Sequence, residues 1–119
     1  MLKNKNKTKQ DAKIRRQART RAKIFGTAKH PRLNETKSLN NIYLQLINDE
    51  NSKTLVSIHS KSLKVKGTKT EIAHAAGLAL AKKSLDKKIT TCVFDRSSSV
   101  YHGRVKAVAE GARAGGLKF

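Results

Sequence analysis

Five residues near the end of the chain have the side-chain types of a hydrolase triad: Asp95, Ser97, Ser98, Ser99 and His102. This segment lacks the glycine-flanked turn that presents a nucleophilic serine above an α/β sheet. A serine, a histidine and an aspartate within one loop of eight residues also need not point at each other. We therefore expect no triad catalysis from this loop.

The same loop offers groups that bind nucleic acid. Beyond a predicted strand it supplies guanidinium, aromatic and imidazole groups and an unhindered backbone, in Arg96, Tyr101, His102, Gly103 and Arg104. Arginine can pair with two phosphate oxygens, and tyrosine or histidine can stack on an exposed base. The carboxyl end of a strand in an α/β sheet commonly hosts ligands. A purely structural turn, in which Asp95 pairs with Arg96 or Arg104, explains these residue types equally well.

Metal-dependent chemistry is not favoured by the distribution of ligand types. The eight acidic residues are dispersed, for example Asp49 in a predicted turn and Glu110 in a predicted helix. Two-metal phosphoryl chemistry needs several carboxylates within a few ångströms, and the four histidines show no zinc-ligand spacing. The single cysteine, Cys92, excludes an intramolecular disulfide, points to a reducing compartment and is expected to be a small core residue. We predict no metal and no other cofactor.

Positive charge dominates the chain. Its 119 residues contain 27 Lys+Arg and 8 Asp+Glu, for a net charge of +19. Residues 1–23 hold ten of the basic side chains against Asp11 alone, which suits a polyanionic partner because neutralised phosphates release condensed counterions. A nonspecific solvated tail and a targeting peptide are the alternatives for this segment. No apolar run approaches the roughly 20 residues that span a bilayer, so we expect no membrane partner.

The elements that position these residues follow from hydrophobic periodicity. Residues 1–9 offer nothing apolar and are expected to be a disordered arm, followed by a weakly amphipathic basic helix over 11–25. Residues 32–37 are compatible with a polar strand, and 42–47 with 54–59 alternate as an antiparallel hairpin does.

The second half of the chain predicts two helices around a short strand. Thr68 and Glu71 have capping-box spacing before an alanine-rich helix in which Gly77 permits a close approach to a sheet. A strand over 89–94 implies a parallel crossover next to the hairpin, and a last helix covers 104–114. We predict an α/β fold, a small mixed sheet flanked by helices, with a basic arm and helix (1–25) preceding a globular domain (26–119).

At the final loop the sequence becomes recognisable. The closing segment CVFDRSSSVYHGRVKAVAEGARAGGLKF resembles the carboxyl end of ribosomal protein eighteen of the large subunit, the 5S rRNA-binding family. Four earlier segments resemble that family in the same order: KIRRQARTRAKIFGTAKHPRL, NNIYLQLI, KTLVSIHSKSL and KTEIAHAAGLALAKKSLDKKI. The resemblance implies a ribonuclease-H-like α/β globule without its catalytic site. It also implies a place in the central protuberance, with 5S rRNA, 23S rRNA and the other 5S-binding and central-protuberance ribosomal proteins as partners.

The resemblance also implies which residues face RNA. In the basic arm and helix these are Lys7, Lys9, Lys13, Arg15, Arg16, Arg19, Arg21 and Lys23. In and around the hairpin they are Arg32, Lys37, Ser38, Asn40, Asn41, Tyr43, His59, Ser60 and Lys61. In the final loop they are Tyr101, His102, Gly103 and Arg104.

The sequence as a whole therefore predicts a noncatalytic structural constituent of the large ribosomal subunit. It would bind 5S rRNA, help to attach it to 23S rRNA, and act on no small-molecule substrate. We expect it on ribosomes in the cytoplasm, and a plastid origin stays open. An RNA-processing enzyme and a general basic RNA-binding protein outside the ribosome are the alternative hypotheses.

Overall fold

The computed structural model describes residues 5–22, 24–38, 41–95 and 103–119, and of residues 5–8, 20 and 21 the backbone only. The elements in chain order are α1 (Lys5–Arg21), β1 (Arg32–Lys37), β2 (Ile42–Asn48), β3 (Lys53–His59), a 3-10 helix (Ser60–Leu63), α2 (Lys69–Asp86), β4 (Val93–Asp95) and α3 (Arg104–Ala114). The four strands form one mixed sheet in the order β3-β2-β1-β4. The predicted α/β class, a small mixed sheet with flanking helices, is confirmed.

The hairpin forms as the alternation predicts. Along β2, Ile42, Leu44 and Leu46 are buried, while the residues between them are half-buried on the opposite face. β3 runs antiparallel to β2 and adds Val56 and Ile58 to the buried face. α2 packs on that face of β2 and β3, and α3 packs along α2. The sheet therefore has one helix-covered face.

The parallel crossover is confirmed, with one difference in its position. β4 pairs in parallel with β1, so β1 separates the new strand from the β2–β3 hairpin. β4 covers only Val93–Asp95, because the preceding residues pair elsewhere: Thr91 forms an isolated parallel bridge with Lys118. β4 therefore runs beside the first half of β1, and its last residue, Asp95, lies opposite Asn34.

Gly77 makes a close approach, although its neighbour is not the predicted one. A Cβ atom built on Gly77 would clash with the Val108 carbonyl oxygen and lie 2.9 Å from the Ala112 nitrogen. The closest contact of α2 is therefore with α3, and the prediction that Gly77 faces the sheet is wrong. The start of α2 is as predicted, because the Thr68 hydroxyl accepts the Glu71 N–H at 3.2 Å.

The N-terminal helix begins earlier and ends earlier than the sequence predicts. The expected disordered arm is wrong from residue 5 onward, since α1 covers Lys5–Arg21. No glycine or proline interrupts these residues, and lysine, arginine, glutamine and alanine are good helix formers without any tertiary packing. The expected apolar stripe does not pack, because Ile14 is 53% exposed and Phe25, which lies beyond the helix, is 61% exposed.

Candidate nucleic-acid interface

Residues from three parts of the sequence meet where β1 ends and β2 begins. We call this group the sheet-end corner, and its members are Lys37, Ser38, Asn41, Tyr43, His59, Ser60, Lys61, Gly103 and Arg104. Lys37 pairs with Ile42 in the sheet, and Tyr43 pairs with His59 on the neighbouring strand. α3 begins at the same end, with Gly103 as its N-cap at a φ of 58°. Every member was predicted from the sequence to face RNA.

The β1–β2 turn at this corner is closed by local hydrogen bonds. The Ser38 N–H donates to the Asn41 carbonyl at 2.9 Å. The Asn41 N–H donates in return to the Ser38 hydroxyl at 3.2 Å. These bonds fix the two residues on either side of the turn's tip.

Arg104 reaches this turn from the first residue of α3. Its Nη1 donates to the Ser38 carbonyl and its Nη2 to the Asn41 carbonyl, both at 3.0 Å. The guanidinium therefore spans the mouth of the turn. Arg104 begins α3 as the sequence predicts, and its contacts are with backbone rather than with Asp95.

Ser60 connects the turn to the end of β3. Its buried hydroxyl accepts the Ile42 N–H at 2.9 Å and donates to Asn41 Oδ1 at 3.3 Å. The hydroxyl thus satisfies a backbone donor at the start of β2 and holds the Asn41 side chain. The Ser60 hydroxyl oxygen therefore links β2, the turn and the 3-10 helix.

Tyr43 and His59 form the aromatic part of the corner. Their ring centroids are 5.7 Å apart with an interplanar angle of 49°, and both half-buried side chains lie on the sheet face away from α2 and α3. His59 Nδ1 accepts the Lys61 N–H at 3.1 Å and so caps the 3-10 helix. In the neutral ring the proton is therefore on Nε2, which is a donor.

Arg32 lies at the opposite end of β1 and is engaged internally. Its Nε donates to Asp49 at 2.9 Å and its Nη1 to Asp95 at 2.7 Å. Its side chain is 12% exposed, and the hydrogen bond that it donates to Asp49 is the largest cause that raises the pKa of Arg32. The structure thus separates Arg32 from the sheet-end corner and shows its guanidinium in ion pairs with Asp49 and Asp95, and the expectation that it faces RNA stays a prediction.

The basic helix α1 presents its charge to solvent. It contains eight Lys or Arg residues against Asp11. The described side chains of Lys9, Lys13, Arg15, Arg16 and Arg19 are all exposed. Within the described ranges α1 has no extensive packing with the strands or with α2 and α3, so these side chains lie at the surface.

Comparison with known proteins decides the family. Residues 7–119 match the sequence model described as "Ribosomal L18 of archaea, bacteria, mitoch. and chloroplast". The chain belongs to this ribosomal L18 family. A Lactiplantibacillus plantarum relative, "Large ribosomal subunit protein uL18", is 51% identical over 117 residues, covering 98% of this chain and 96% of its own. A Clostridium perfringens relative of the same name is 48% identical over 113 residues, covering 93% and 95%.

A third relative extends the comparison beyond bacteria. "Large ribosomal subunit protein uL18c" of Phaeodactylum tricornutum is 47% identical over 125 residues, covering 99% of this chain and 93% of its own. Membership of the L18 family confirms the resemblance seen in the sequence, and with it the prediction of a structural, non-enzymatic protein.

Several predicted RNA-facing residues of this L18 protein are not described in full. Lys23, Asn40, Tyr101 and His102 lie outside the described residues, as do Arg96 and the serines at 97–99. For Lys7 and Arg21 only the helical backbone is described. The expectation that these side chains face RNA stays a prediction, as it does for the members of the sheet-end corner.

Sequence reasoning missed the buried carboxylate of Glu35. Its side chain lies on the helix-covered face of β1, opposite Leu44, and is 4% exposed. Burial raises the pKa of Glu35, the charges of Lys37 and Arg104 lower it, and that of Asp95 raises it. The available signal was strand alternation, which places Glu35 on the same face as Leu33.

The described part of this L18 chain was expected to hold dispersed metal-ligand types and a buried cysteine. Among those residues no three His, Cys, Asp or Glu side chains are grouped as metal ligands would be. Cys92 is buried in the core as predicted, and burial raises the pKa of its thiol to about 12. None of the described helices has the length and apolar character to cross a membrane.

Proposed function

We propose that this chain, a structural, non-enzymatic protein of the large ribosomal subunit, binds 5S rRNA through α1 and the sheet-end corner. It would help to attach 5S rRNA to 23S rRNA in the central protuberance, beside the other 5S-binding proteins. One observation carries the proposal. Residues from three separate parts of the sequence, all predicted to face RNA, converge at one end of the sheet.

The two parts of the proposed surface supply different interactions. α1 carries seven more positive than negative side chains and lies along phosphates, so it provides sequence-independent affinity. The corner supplies shape: Tyr43 offers a ring for stacking, His59 offers its Nε2 donor, and Lys61 adds an exposed ammonium. Structured RNA is recognised mainly through shape, 2′-hydroxyls and phosphates, with stacking on unpaired bases.

This division matches the two-part organisation predicted from the sequence. Residues 1–25 form an RNA-binding arm and helix, and residues 26–119 form the globular rRNA-binding domain. The lack of extensive packing of α1 on the described sheet and helices supports the division. An RNA-processing enzyme is not favoured, because the L18 family is structural.

The test is binding of the purified full-length protein to 5S rRNA, with a transfer RNA as the competitor of unrelated shape. Tyr43→Ala and His59→Ala are each expected to weaken 5S binding by about tenfold, within the range measured for lost stacking on a base. His74→Ala is the matched control, because His74 is exposed on α2 outside the proposed surface. Equal affinity for both RNAs, or corner variants within about twofold of the His74→Ala control, would overturn the proposal.

A further inference from the structure

Arg104 directs two of its N–H donors at the protein backbone. Nη1 and Nη2 each donate to a carbonyl of the β1–β2 turn at 3.0 Å. Nε is buried and has no hydrogen-bond partner among the described residues. A phosphate contact of the usual two-pronged kind needs two neighbouring donors on one edge of the guanidinium. Here Nη1 and Nη2 each donate one of their two N–H groups to a backbone oxygen, and the buried Nε is not exposed to an external phosphate.

The charge of Arg104 is also partly balanced inside the fold. The buried Glu35 carboxylate interacts electrostatically with Arg104, and its Oε2 atom has no hydrogen-bond partner among the described residues. A guanidinium beside a buried carboxylate presents less positive potential to an external phosphate than a solvated one does. The two hydrogen bonds therefore hold Arg104 on the turn, and the Glu35 carboxylate offsets part of its charge.

The turn held by Arg104 is linked to the rest of the corner through Ser60. Asn41 accepts from Arg104 through its carbonyl and from Ser60 through its side chain. The Ser60 hydroxyl in turn accepts the Ile42 N–H, one residue before Tyr43. The start of α3, the turn and the end of β3 thus form one hydrogen-bonded chain beneath the exposed groups.

We propose that Arg104 and Ser60 are positioning residues, which hold the Ser38–Asn41 turn so that Tyr43 and His59 meet the RNA together. Arg104 does not itself neutralise a phosphate. The inference rests on the proposed function and assigns a role within that site. Preorganisation of this kind raises affinity because the ordering of the turn is completed before the RNA binds.

The dependence of 5S rRNA affinity on salt concentration separates positioning from phosphate contact. Arg104→Ala is expected to weaken binding about tenfold with an unchanged salt slope, whereas removal of a phosphate-neutralising charge lowers the slope by about one. Arg104→Lys keeps the charge but can donate to one of the two carbonyls only. We therefore expect it to lose less affinity than Arg104→Ala, with the same salt slope. Lys82→Ala is the matched control, because it removes one exposed charge from α2.

Ser60→Ala supplies a test without any change in charge. It should weaken RNA binding, and the double variant with Arg104→Ala should lose less than the product of the two single effects, because both hold one turn. In the free protein both single variants should speed amide exchange at Ser38, Asn41 and Ile42, while amides in α2 stay protected. These exchange rates need no RNA, so they test the turn even where the variants bind weakly.

A salt slope lowered by about one in Arg104→Ala, with full affinity in Arg104→Lys, would overturn the positioning role and leave the proposed function intact. Independent effects of the Ser60 and Arg104 variants, or unchanged exchange in the turn, would overturn it as well. Failure of the wild-type protein to prefer 5S rRNA would instead overturn the proposed function.

Discussion

Arg32 donates a hydrogen bond of 2.7 Å to Asp95 across 63 positions of sequence, and Asp95 is fully buried. The same guanidinium binds Asp49 at the end of the β2 strand. One arginine therefore joins the first strand, the fourth strand and the hairpin turn. Because the final loop leaves from Asp95, this ion pair fixes where the chain departs towards α3.

Arg32→Met is expected to destabilise the fold by about 3–5 kcal/mol, because the buried carboxylate of Asp95 loses its guanidinium. Urea unfolding followed by circular dichroism measures this change. Lys53→Met, at an exposed position at the start of β3, controls for the loss of one positive charge. If the unfolding free energies of the two variants lie within about 1 kcal/mol of each other, the ion pair does not contribute substantially to the stability of the fold.

Glu35 predicts a pH dependence of stability. Because burial raises its pKa above the ordinary value of 4.5, the folded state binds the proton more tightly than the unfolded chain. The resulting stability is fully present below the unfolded pKa and is lost as the pH rises through the folded pKa. Lys37 and Arg104 oppose this shift and Asp95 adds to it.

Glu35→Gln removes this titration. The variant should therefore gain stability relative to the wild type as the pH is raised from about 4 to 7, when urea unfolding is followed at several pH values. Glu50→Gln, at an exposed turn position, should show no such trend. A difference in unfolding free energy between Glu35→Gln and wild type that stays constant over this pH range would contradict a raised pKa for Glu35.

Gly77→Ala tests the close packing of α2 on α3. Helix propensity alone favours alanine by about 1 kcal/mol. The added Cβ would meet the backbone at Val108 and Ala112, so we expect a loss of about 1–3 kcal/mol instead. The sign of the change in unfolding free energy decides between the two effects, and a stabilised variant would show that the helices separate without cost.

Deletion of residues 1–23 is expected to weaken 5S rRNA binding and to flatten its salt dependence. Each phosphate that is no longer neutralised should lower the slope of log K against log salt by about 0.7–0.9. The melting temperature of the globule should change little, since within the described ranges α1 packs on no other helix or strand extensively. Replacing Lys13, Arg15 and Arg19 by glutamine keeps the helix and removes three exposed charges. Slopes equal to that of the wild type in both variants would exclude a phosphate-binding role for α1.

Elements with a strong apolar period could be predicted from sequence. The alternation through Leu44 and Leu46 gave the hairpin, and the spacing of Val105 and Val108 gave the last helix with its bounds. The predicted start of α1 was several residues too late. The prediction relied on an apolar stripe that does not pack, whereas the helix forms through the intrinsic helix propensity of its residues.

The contacts within the candidate site could not be predicted from the sequence. Lys37, His59 and Arg104 could be named from the family resemblance, but the partners of each could not. Arg104 binds two backbone carbonyls, and a carbonyl carries no residue type that a sequence pattern could reveal. The choice of Arg32 as partner for Asp95 depended in the same way on strand order, which placed β4 beside β1.

The most direct test of RNA binding through α1 and the sheet-end corner is ultraviolet crosslinking of intact large ribosomal subunits, with the linked peptides identified by mass spectrometry. We expect 5S rRNA crosslinks on peptides containing Tyr43 and His59 and on the basic peptides of α1. Crosslinks to 5S rRNA confined to other parts of the chain, with α1 lysines and His59 open to chemical modification in the same particles, would contradict it.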